Sequence, residues 1–464
     1  MAEPLWTSDE ILAATGGRLA GAPFAATGVS IDTRTLEPGD LFVALAGDRD
    51  GHEFAAAALA RGASGVLAAR PISGPAVQVG DTLKALEALG QAARVRATQA
   101  RRGAVTGSVG KTSVTQAIRA GLARAGHAHA SVKSYNNHIG VPLTLARMPR
   151  DTARAVFEIG MNHADEITPL VRMVQPHAVA ITTVAQAHIE NFADGEAGVA
   201  RAKAEIFDGL TAGGQAVLNA DNKWFDFLAD AAKAHGAEVL AFGTSDGCAA
   251  QLLSFRLEDG GARVEARLRG RPIDFSLRQA GSHWGLMSLA ALLMIEALGV
   301  GTEDALAALA AFEPLEGRGA EGRVEIAGGA FTLIDESYNA NPASVAAALR
   351  TLGLRPARRR IAALTDMLEL GRESAAYHAG LAAEIAAAKV DLVFCAGPMM
   401  KSLFEALPPT RQGGYAESAA ALAPLLTRAV EPGDVVMVKG SRDSHAKALF
   451  EALRALAPRS GEAA

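Results

Sequence analysis

The segment that most constrains the fold is Thr106-Gly107-Ser108-Val109-Gly110-Lys111-Thr112-Ser113. Residues 102–105 before it are typical of the end of a buried strand, and residues 113–125 after it carry apolar side chains at helical spacing. A strand, a glycine-rich turn and a helix form a phosphate-binding geometry, because backbone N–H groups and the positive end of the helix converge on the anion. The segment therefore predicts a nucleoside triphosphate site in an α/β fold.

Two side chains of this loop have the chemistry of such a site. Lys111 would neutralise a terminal phosphate, and the Thr112 hydroxyl would join the ligands of Mg²⁺. The general motif begins with a glycine where this sequence has Val105, so the loop is a shortened form that few families share. An ordinary glycine-containing turn is the alternative, and the flanking strand and helix favour the phosphate site.

Composition limits the class of protein. A length of 464 residues suggests about three domains. The net charge of −5 and the pI near 6.2 argue against a non-specific nucleic-acid binder. Cys248 and Cys395 lie far apart and are most simply thiols in a reducing compartment. The first residues lack the pattern of a signal peptide, and the apolar residues 286–298 are too few for a membrane span. We expect a cytoplasmic protein.

Residues 1–98 are predicted to form a small α/β domain, with strands at 29–32, 41–45 and 65–68 and helices at 54–61 and 83–100. Asp32-Thr33-Arg34 ends the first of these strands. An arginine with hydroxyl neighbours can bind a phosphorylated or carboxylated ligand. A solvated loop with a surface ion pair is the alternative, and these residues alone favour it.

Residues 99–315 alternate strands and helices, which predicts a mostly parallel sheet, with antiparallel strands at 252–277 as a β insertion. Glu158 ends the predicted strand 153–159. A carboxylate among apolar neighbours needs a partner, and a metal ion is one. His188 follows the next strand, and its pattern fits a hydrogen-bonded structural histidine as well as a ligand. Lys203 lies on a predicted helix, where spacing alone indicates a solvated lysine.

The C-terminal domain, residues 316–464, begins within a segment, 314–322, that is typical of a linker, and from Arg323 on it repeats the strand–helix alternation. Polar loops come after the predicted strands 331–334, 361–364 and 435–438. Such clusters at the carboxyl ends of parallel strands form a ligand-binding rim. The sequence thus predicts a three-domain α/β protein whose Rossmann-like C-terminal domain can close over the phosphate loop.

A set of motifs carries a resemblance to a known family. The central ones are Thr106-Gly107-Ser108-x-Gly110-Lys111-Thr112, Asn136-Asn137-x-Ile139-Gly140-Val141-Pro142, Glu158-Ile159-Gly160-Met161-Asn162-His163, Ala187-His188-x-Glu190 and Lys203-Ala204-Glu205-Ile206-Phe207. Together they resemble the central domain of the bacterial Mur ligases, which build the peptidoglycan stem peptide with ATP. The resemblance covers essentially the whole chain.

The outer motifs resemble the branch of that family that joins D-alanyl-D-alanine to UDP-N-acetylmuramoyl-tripeptide (UDP-MurNAc-tripeptide). They are Asp32-Thr33-Arg34, Gly39-Asp40-Leu41-Phe42-Val43-Ala44-Leu45, Asp335-Glu336-Ser337-Tyr338-Asn339-Ala340-Asn341-Pro342, Asp366-Met367-Leu368-Glu369-Leu370-Gly371 and Lys439-Gly440-Ser441-Arg442. The resemblance implies that ATP converts the tripeptide carboxylate to an acyl phosphate. The amine of D-Ala-D-Ala then displaces phosphate through a tetrahedral intermediate.

The resemblance also implies roles for individual residues. Lys111, Glu158, His188 and Lys203 would be catalytic, and Thr112, Glu158, His188 and Lys203 would hold Mg²⁺, two ions in all. Lys203 matches a lysine that the family carbamylates with CO₂. Residues 106–113 with Asn137, Arg318, Asp335 and Glu336 would bind ATP. The substrate-binding candidates are Asp32, Thr33, Arg34, Asn162, His163, Asn339, Asn341, Lys439, Ser441 and Arg442.

One segment departs from the family pattern, because Trp284 and Met287 stand where asparagines that hold adenine are usual. Trp284 could stack on adenine or belong to the core. The alternatives in function are another amide ligase of the superfamily, either diaminopimelate-adding or folylpolyglutamate synthase, and a P-loop switch protein. We expect a monomer whose partners are its small-molecule substrates, with no nucleic acid.

Overall fold

The computed structural model describes residues 3–47, 49–132, 134–258 and 260–458. Within these ranges the chain forms four β-sheets, of two, five, nine and six strands. No helix in the described ranges is long and apolar enough to cross a membrane. The three larger sheets follow one another along the chain, which matches the predicted three-domain α/β architecture.

The N-terminal part is built on the five-stranded sheet, in the order β2-β7-β6-β5-β4, in which only β2 is antiparallel to its neighbour. Asp81 starts the long helix of this part, because its carboxylate accepts from the backbone N–H groups of Leu83 and Lys84. The elements are β1 (Trp6–Thr7), α1 (Ser8–Thr15), β2 (Arg18–Ala20), β3 (Ala25–Ala26), β4 (Gly28–Ser30), β5 (Asp40–Val43), α2 (Ala55–Ala60), β6 (Gly65–Ala68), β7 (Ala76–Gln78) and α3 (Thr82–Arg96).

The central part is built on the nine-stranded sheet, in the order β16-β15-β14-β13-β12-β11-β8-β10-β9. Its elements are β8 (Arg101–Thr106), α4 (Lys111–Leu122), β9 (Ala128–Ala130), α5 (Gly140–Ala146), β10 (Arg154–Glu158), α6 (Ile167–Val174), β11 (Ala178–Ile181), α7 (Glu196–Ala204), β12 (Gln215–Asn219), α8 (Phe225–Ala234), β13 (Glu238–Gly243), β14 (Ala250–Glu258), β15 (Gly261–Leu268), β16 (Arg271–Leu277), α9 (Trp284–Ala297) and α10 (Thr302–Ala311). The antiparallel strands expected as an insertion extend the edge of this sheet, since β14 pairs in parallel with β13.

The C-terminal part is built on the six-stranded sheet, in the order β17-β18-β22-β19-β20-β21, with β17 antiparallel. Its elements are β17 (Ala320–Ile326), β18 (Gly329–Glu336), α11 (Pro342–Gly353), β19 (Arg359–Thr365), α12 (Ser374–Ala387), β20 (Leu392–Ala396), α13 (Met400–Ala406), β21 (Gln412–Ala416), α14 (Ala419–Ala429), β22 (Asp434–Lys439) and α15 (Ala446–Arg454). The segment predicted as a linker is shorter than expected, because β17 already begins at Ala320.

Helix α5 connects the N-terminal and central parts, and every residue of this helix is buried. The Trp6 indole N–H donates to the Ala146 carbonyl at 2.8 Å, and the Arg147 guanidinium donates to the Val29 carbonyl at 2.6 Å. Leu143 and Ala146 also belong to the hydrophobic core of the N-terminal sheet. The two parts therefore share a core, which fixes the strand end that carries Asp32 relative to the central sheet.

A histidine on β9 should make the fold sensitive to acid. The His129 ring Nε2 lies 2.7 Å from the Thr144 carbonyl, and burial, with the Arg119 and Arg147 charges, lowers the pKa of His129 from 6.5 to about 4. The unfolded chain binds a proton at His129 more readily than the folded protein does. The free energy of unfolding is therefore not reduced by this histidine above about pH 6.5, and it falls as the pH approaches 4. We expect a loss of roughly 3 kcal/mol over this window. His129→Gln should flatten urea-unfolding free energies between these pH values, and the exposed His127→Gln is its control. Equal slopes for both variants would contradict this.

Candidate functional site

A cavity of about 430 Å³ lies where the central and C-terminal parts face each other. The carboxyl ends of parallel strands β8, β10 and β11 open into it from one side, and the end of β18 and helix α11 from the other. Predicted site residues line it: Ser108, Val109, Gly110, Lys111, Thr112, Ser113, Glu158, Asn162, His188, Arg318, Glu336, Asn339, Asn341 and Lys439. The structure therefore brings together residues that are far apart in the sequence.

The phosphate loop lies between buried strand β8 and helix α4. Gly107 and Gly110 have φ angles of 144° and 86°, which side-chain-bearing residues rarely adopt. The Lys111 ammonium donates to the Gly107 carbonyl at 2.7 Å across the loop. Burial lowers the pKa of Lys111, the Glu158 carboxylate opposes this, and the Arg318 charge adds to it. The loop thus presents backbone amides and a cation to a phosphate.

Glu158 is held as a buried carboxylate with one free oxygen. Its side chain is 1% exposed, and its Oε1 accepts from the Asn136 amide at 2.6 Å. Its Oε2 is buried and has no hydrogen-bond partner among the described residues. An unpaired buried carboxylate oxygen is costly unless a cation approaches it. The position fits a divalent ion between Glu158 and the phosphate loop.

Asn136 and Asn137 are adjacent in the sequence, but their side chains have different partners. Asn136 lines the cavity and contacts Glu158. The Asn137 side chain is turned away and accepts from the N–H groups of Ile139 and Gly140, at the start of α5. Asn137 was one of the predicted ATP contacts, and the structure places it outside the cavity lining. The motif contained both residues, but its sequence gave no signal of which one faces the ligand.

The spacing of Lys203 indicates a solvated lysine, but in the structure this side chain is buried. It is 2% exposed, on α7. Burial, together with the nearby Lys111 charge, sets the pKa of Lys203 well below its usual value. Glu205 does not neutralise it by an ion pair in the described structure, because the Glu205 carboxylate accepts from N–H groups at the start of α6, including Ile167 and Thr168. Burial therefore favours the neutral amine of Lys203 over its ammonium form.

His188 connects the two sides of the cleft. It lines the cavity with a φ of 58°, and its Nδ1 lies 2.5 Å from the Glu369 carboxylate of the C-terminal part. The His188 contact lowers the pKa of Glu369. The histidine is thus held by a group from the facing part, and it is not buried in a structural core.

A polar cluster closes the cavity from the C-terminal side. The Tyr338 hydroxyl donates to the Ser134 hydroxyl at 3.0 Å, and the Arg318 guanidinium lies 4.3 Å from the centre of the Tyr338 ring. Ser134 also lies 3.3 Å from the Thr112 hydroxyl. Sequence reasoning missed Ser134 and did not single out Tyr338, because their contact joins residues 204 positions apart.

The C-terminal rim contains Lys439, which is 3% exposed and pairs with Glu336 at 3.1 Å. Lys439 also donates to the Asn339 carbonyl at 3.0 Å. Asn341 lines the cavity and at the same time caps α11 by accepting from the Ser344 N–H. These three predicted substrate contacts therefore lie together beside Glu336.

Other predicted residues lie outside the cavity lining. The Asp335 carboxylate accepts from the Gly317 N–H and from the N–H and hydroxyl of Ser337, and it thereby stabilises the turn at Arg318. Of Asp335 and Glu336, it is Glu336 that lines the cavity. Ser441 accepts from the Leu368 N–H. Three further predicted residues that do not line the cavity are buried: Thr106, Gly107 and Lys203. The others that do not line it are exposed or partly exposed: Asp32, Thr33, Arg34, His163 and Arg442.

Trp284 belongs to the core. It is 4% exposed and packs 5.8 Å from the Phe312 ring, so it cannot stack on a ligand in the cavity. His283 and Met287 line the cavity instead. The sequence motifs assigned no role to His283.

The two asparagines provide a matched test of this geometry. Asn136→Ala should weaken binding of Mg²⁺ with ADP about tenfold, because Asn136 orients the carboxylate that would face the ion. Asn137→Ala should leave that binding unchanged and cost about 1 kcal/mol of stability, as loss of a capping side chain does. Calorimetric titration and urea unfolding of both variants measure this. The reverse pattern would show that the side chains exchange places when ligand binds.

Comparison with known proteins finds family models and relatives that match these parts of the chain. A family model described as the Mur ligase middle domain matches residues 105–295, and one described as the Mur ligase, glutamate ligase domain, matches residues 322–442. A relative from Escherichia coli (strain K12), named UDP-N-acetylmuramoyl-tripeptide--D-alanyl-D-alanine ligase, is 35% identical over 95% of this chain and 96% of its own. A relative of the same name from Bacillus subtilis (strain 168) is 31% identical over 92% and 93%.

Comparison with solved structures gives the same result as comparison with the sequences. A crystal structure of MurF from Acinetobacter baumannii has a TM-score of 0.85 at 28% identity and covers 98% of this chain and 99% of its own. A structure of MurF from Thermotoga maritima in complex with ADP has a TM-score of 0.77 at 22% identity, covering 92% and 97%. The second similarity concerns the fold alone.

Proposed function

The chain belongs to the Mur ligase family, and on this premise we propose how its cleft forms an amide bond. The protein is an ATP-dependent ligase that joins D-alanyl-D-alanine to UDP-N-acetylmuramoyl-tripeptide in peptidoglycan precursor synthesis. The observation that carries the assignment to this cleft is the meeting of Lys111, the unpaired Glu158 oxygen and the C-terminal rim in one cavity. We take residues 1–98, 99–315 and 316–464 as its three domains.

The first step is transfer of the terminal phosphoryl group of ATP to the tripeptide carboxylate. A carboxylate oxygen forms the new P–O bond, the bond to ADP breaks, and ADP leaves with the electron pair. Such transfers depend on positioning and charge neutralisation. Lys111 and the loop amides would hold the phosphates, and Arg318 would face the transferred group from the C-terminal side of the cavity.

Mg²⁺ fits this cleft because Glu158 offers a buried carboxylate oxygen with no partner in the described structure. Thr112, Glu158 and His188 would hold the ions, two in our proposal. When bound, Mg²⁺ neutralises charge on the phosphate oxygens. The described residues contain no cluster of three or more His, Cys, Asp or Glu side chains suited to a metal. Mg²⁺ typically binds through one or two carboxylates plus substrate phosphates and waters.

Lys203 would complete this set as a carbamate. Its neutral amine attacks CO₂, a C–N bond forms, and one proton is released, which converts a potential cation to an anionic oxygen ligand. The burial of Lys203 and the depressed pKa of its ammonium support this, because only the neutral amine reacts. An ammonium beside Lys111 would be repelled, whereas a carbamate would be attracted.

The tripeptide substrate would extend from the N-terminal domain to the cavity. Asp32 and Arg34 form an ion pair just after β4, and Tyr135, next to Asn136, packs against the hydrophobic core of the N-terminal sheet. This supports a binding path for the UDP-sugar end from Asp32, Thr33 and Arg34 past Tyr135 to Glu158. Asn162 and His163 lie on the loop after β10, at the side of this path.

In the second step the amine of D-Ala-D-Ala attacks the acyl phosphate carbon, and phosphate leaves after a tetrahedral intermediate. We propose that Asn339, Asn341 and Lys439 position this dipeptide, with Ser441 and Arg442 in the adjacent loop. Lys439 can balance the negative charge that develops on the intermediate. We propose as well that the protein acts as a monomer in the cytoplasm, where ATP and UDP-linked sugars are made.

The test is substrate-dependent ADP release. With ATP and Mg²⁺, release should require both UDP-MurNAc-tripeptide and D-Ala-D-Ala, and the product should be the pentapeptide by mass spectrometry. Replacing the second substrate with diaminopimelate or glutamate should give no product. A protein that hydrolyses ATP without either substrate, or that joins one of those amino acids, would overturn the assignment.

A further inference from the structure

The Ser134 hydroxyl is a point at which the two sides of the cleft meet. From the C-terminal domain, the Tyr338 hydroxyl donates to the Ser134 Oγ at 3.0 Å and the Arg318 guanidinium donates to it at 3.4 Å. From the central domain, the Thr112 Oγ1 lies 3.3 Å from the same atom. All four residues line the cavity. A serine hydroxyl therefore connects the C-terminal domain to the first turn of α4, directly after the phosphate loop.

The two donors from the C-terminal domain form one unit. The Gly317 carbonyl accepts from the Tyr338 N–H at 3.2 Å, and the Gly317 N–H donates to the Asp335 carboxylate at 2.9 Å. Gly317 has a φ of 73°, and a Cβ added to it would be 2.9 Å from the Tyr338 Cβ. The Arg318 guanidinium lies 4.3 Å from the centre of the Tyr338 ring. Tyr338 and Arg318 therefore approach Ser134 together, in positions that the turn at Gly317 sets.

On the other side of the cleft, contacts within the central domain hold the segment that carries Ser134. Three residues before it, the Ser131 carbonyl accepts from the Gln116 amide of α4 at 2.8 Å. Two residues after it, the Asn136 amide donates to Glu158 at 2.6 Å. The segment is thus tied both to α4 and to the end of β10, which places Ser134 beside the phosphate loop.

The number of hydrogen bonds that a hydroxyl can make gives this arrangement a direction. A serine hydroxyl has one proton and two lone pairs. The Tyr338 hydroxyl and the Arg318 guanidinium both donate to Ser134, so its own proton is left for the Thr112 Oγ1. That hydrogen bond restricts rotation of the Thr112 side chain, which is 6% exposed. Hydrogen bonds of this kind orient metal ligands in proteins.

We propose that Ser134 and Tyr338 are positioning residues for the cation site of the phosphate loop. The Tyr338 hydroxyl orients Ser134, and Ser134 orients the Thr112 oxygen toward Mg²⁺. The C-terminal domain thereby contributes to Mg²⁺ binding through a hydrogen bond across the cleft, so closure of the cleft and Mg²⁺ binding favour each other. The inference rests on the proposed function, in which Thr112 is a Mg²⁺ ligand. In this role the two hydroxyls affect binding of the ion and not binding of the nucleotide alone.

The experiment is calorimetric titration of the full chain with ADP, in Mg²⁺ and in EDTA, which gives the factor by which Mg²⁺ tightens ADP binding. Tyr338→Phe and Ser134→Ala should each lower this factor about fivefold, as loss of one neutral hydrogen bond does, and should leave ADP binding in EDTA unchanged. The double variant should lose no more than either single variant, because Tyr338 acts through Ser134. Ligation by Tyr338→Phe should need about fivefold more Mg²⁺, with kcat unchanged at saturation.

Further variants separate positioning from folding. Ser134→Thr keeps the hydroxyl and should keep the wild-type Mg²⁺ factor. Tyr415→Phe and Ser402→Ala, in the C-terminal domain outside the cavity lining, are the matched controls and should change nothing. Losses that add in the double variant, an equal loss in EDTA, a wild-type factor in either single variant, or no effect of Mg²⁺ on the wild type would overturn the inference. Binding of ADP needs no peptide substrate, so failure of ligation would overturn the proposed function and leave this test intact.

Discussion

Replacing Lys203 with alanine is expected to lower the rate of amide formation about 100-fold or more, because the change removes a proposed anionic ligand from the phosphoryl-transfer site. No other role for this amine is evident, since the side chain is 2% exposed and burial sets the pKa of Lys203 well below its usual value. A short-chain carboxylate such as acetate should restore part of the activity by entering the space that the side chain leaves. Wild-type protein prepared without CO₂ should be slow and should recover on addition of bicarbonate.

Two controls separate chemistry from folding. Lys203→Met keeps most of the buried volume, so it should have the wild-type unfolding midpoint, the same low activity and no rescue by acetate. Isotopically labelled bicarbonate should give a carbamate carbon signal in the wild type that both variants lack. Full activity in either variant, or an active wild type without that signal, would contradict the carbamate.

The phosphate loop and Glu158 were predictable because local sequence determines their positions. A short apolar strand fixes where each side chain appears, and parallel strands bring their carboxyl ends to one edge of a sheet. The order of strands 8, 10 and 11 in the central sheet then places Lys111, Glu158 and His188 together without further information. The same rule placed Asn339 and Lys439 on the facing rim.

Other parts of the site depended on tertiary contacts that no local pattern encodes. Glu336, and not Asp335, faces the cavity, because adjacent strand residues point to opposite sides and Asp335 is held by the turn at Gly317. Asn136 and Asn137 differ only in the direction that a turn gives them. The burial of Lys203 depends on the packing of α7 into the core of the central part, whereas its spacing on α7 is typical of a surface lysine.

Glu158→Gln is expected to lower the turnover number about 100-fold to 1,000-fold while leaving the metal-free fold nearly as stable as the wild type. Glutamine keeps the shape of the side chain and can still accept from Asn136, but it removes the charge that the unpaired Oε2 would offer to Mg²⁺. The substitution removes the cost of burying an unpaired charge but leaves an amide N–H group without a partner, so the metal-free stability should change little and the two effects should separate. In the wild type, Mg²⁺ with ADP should raise the thermal midpoint, because a ligand that binds only the native state stabilises it.

The variant should lose most of that Mg²⁺-dependent shift, and thermal unfolding with and without Mg²⁺ and ADP measures it. Glu238→Gln, at an exposed position on β13, is the matched control and should keep both the shift and the turnover. A Glu158→Gln protein that retains the shift would place the ion elsewhere in the cleft. A Glu158→Gln protein that unfolds readily in the absence of metal would show that Glu158 stabilises the fold through its attraction to Lys111. The Glu158 charge raises the pKa of Lys111 in the structure.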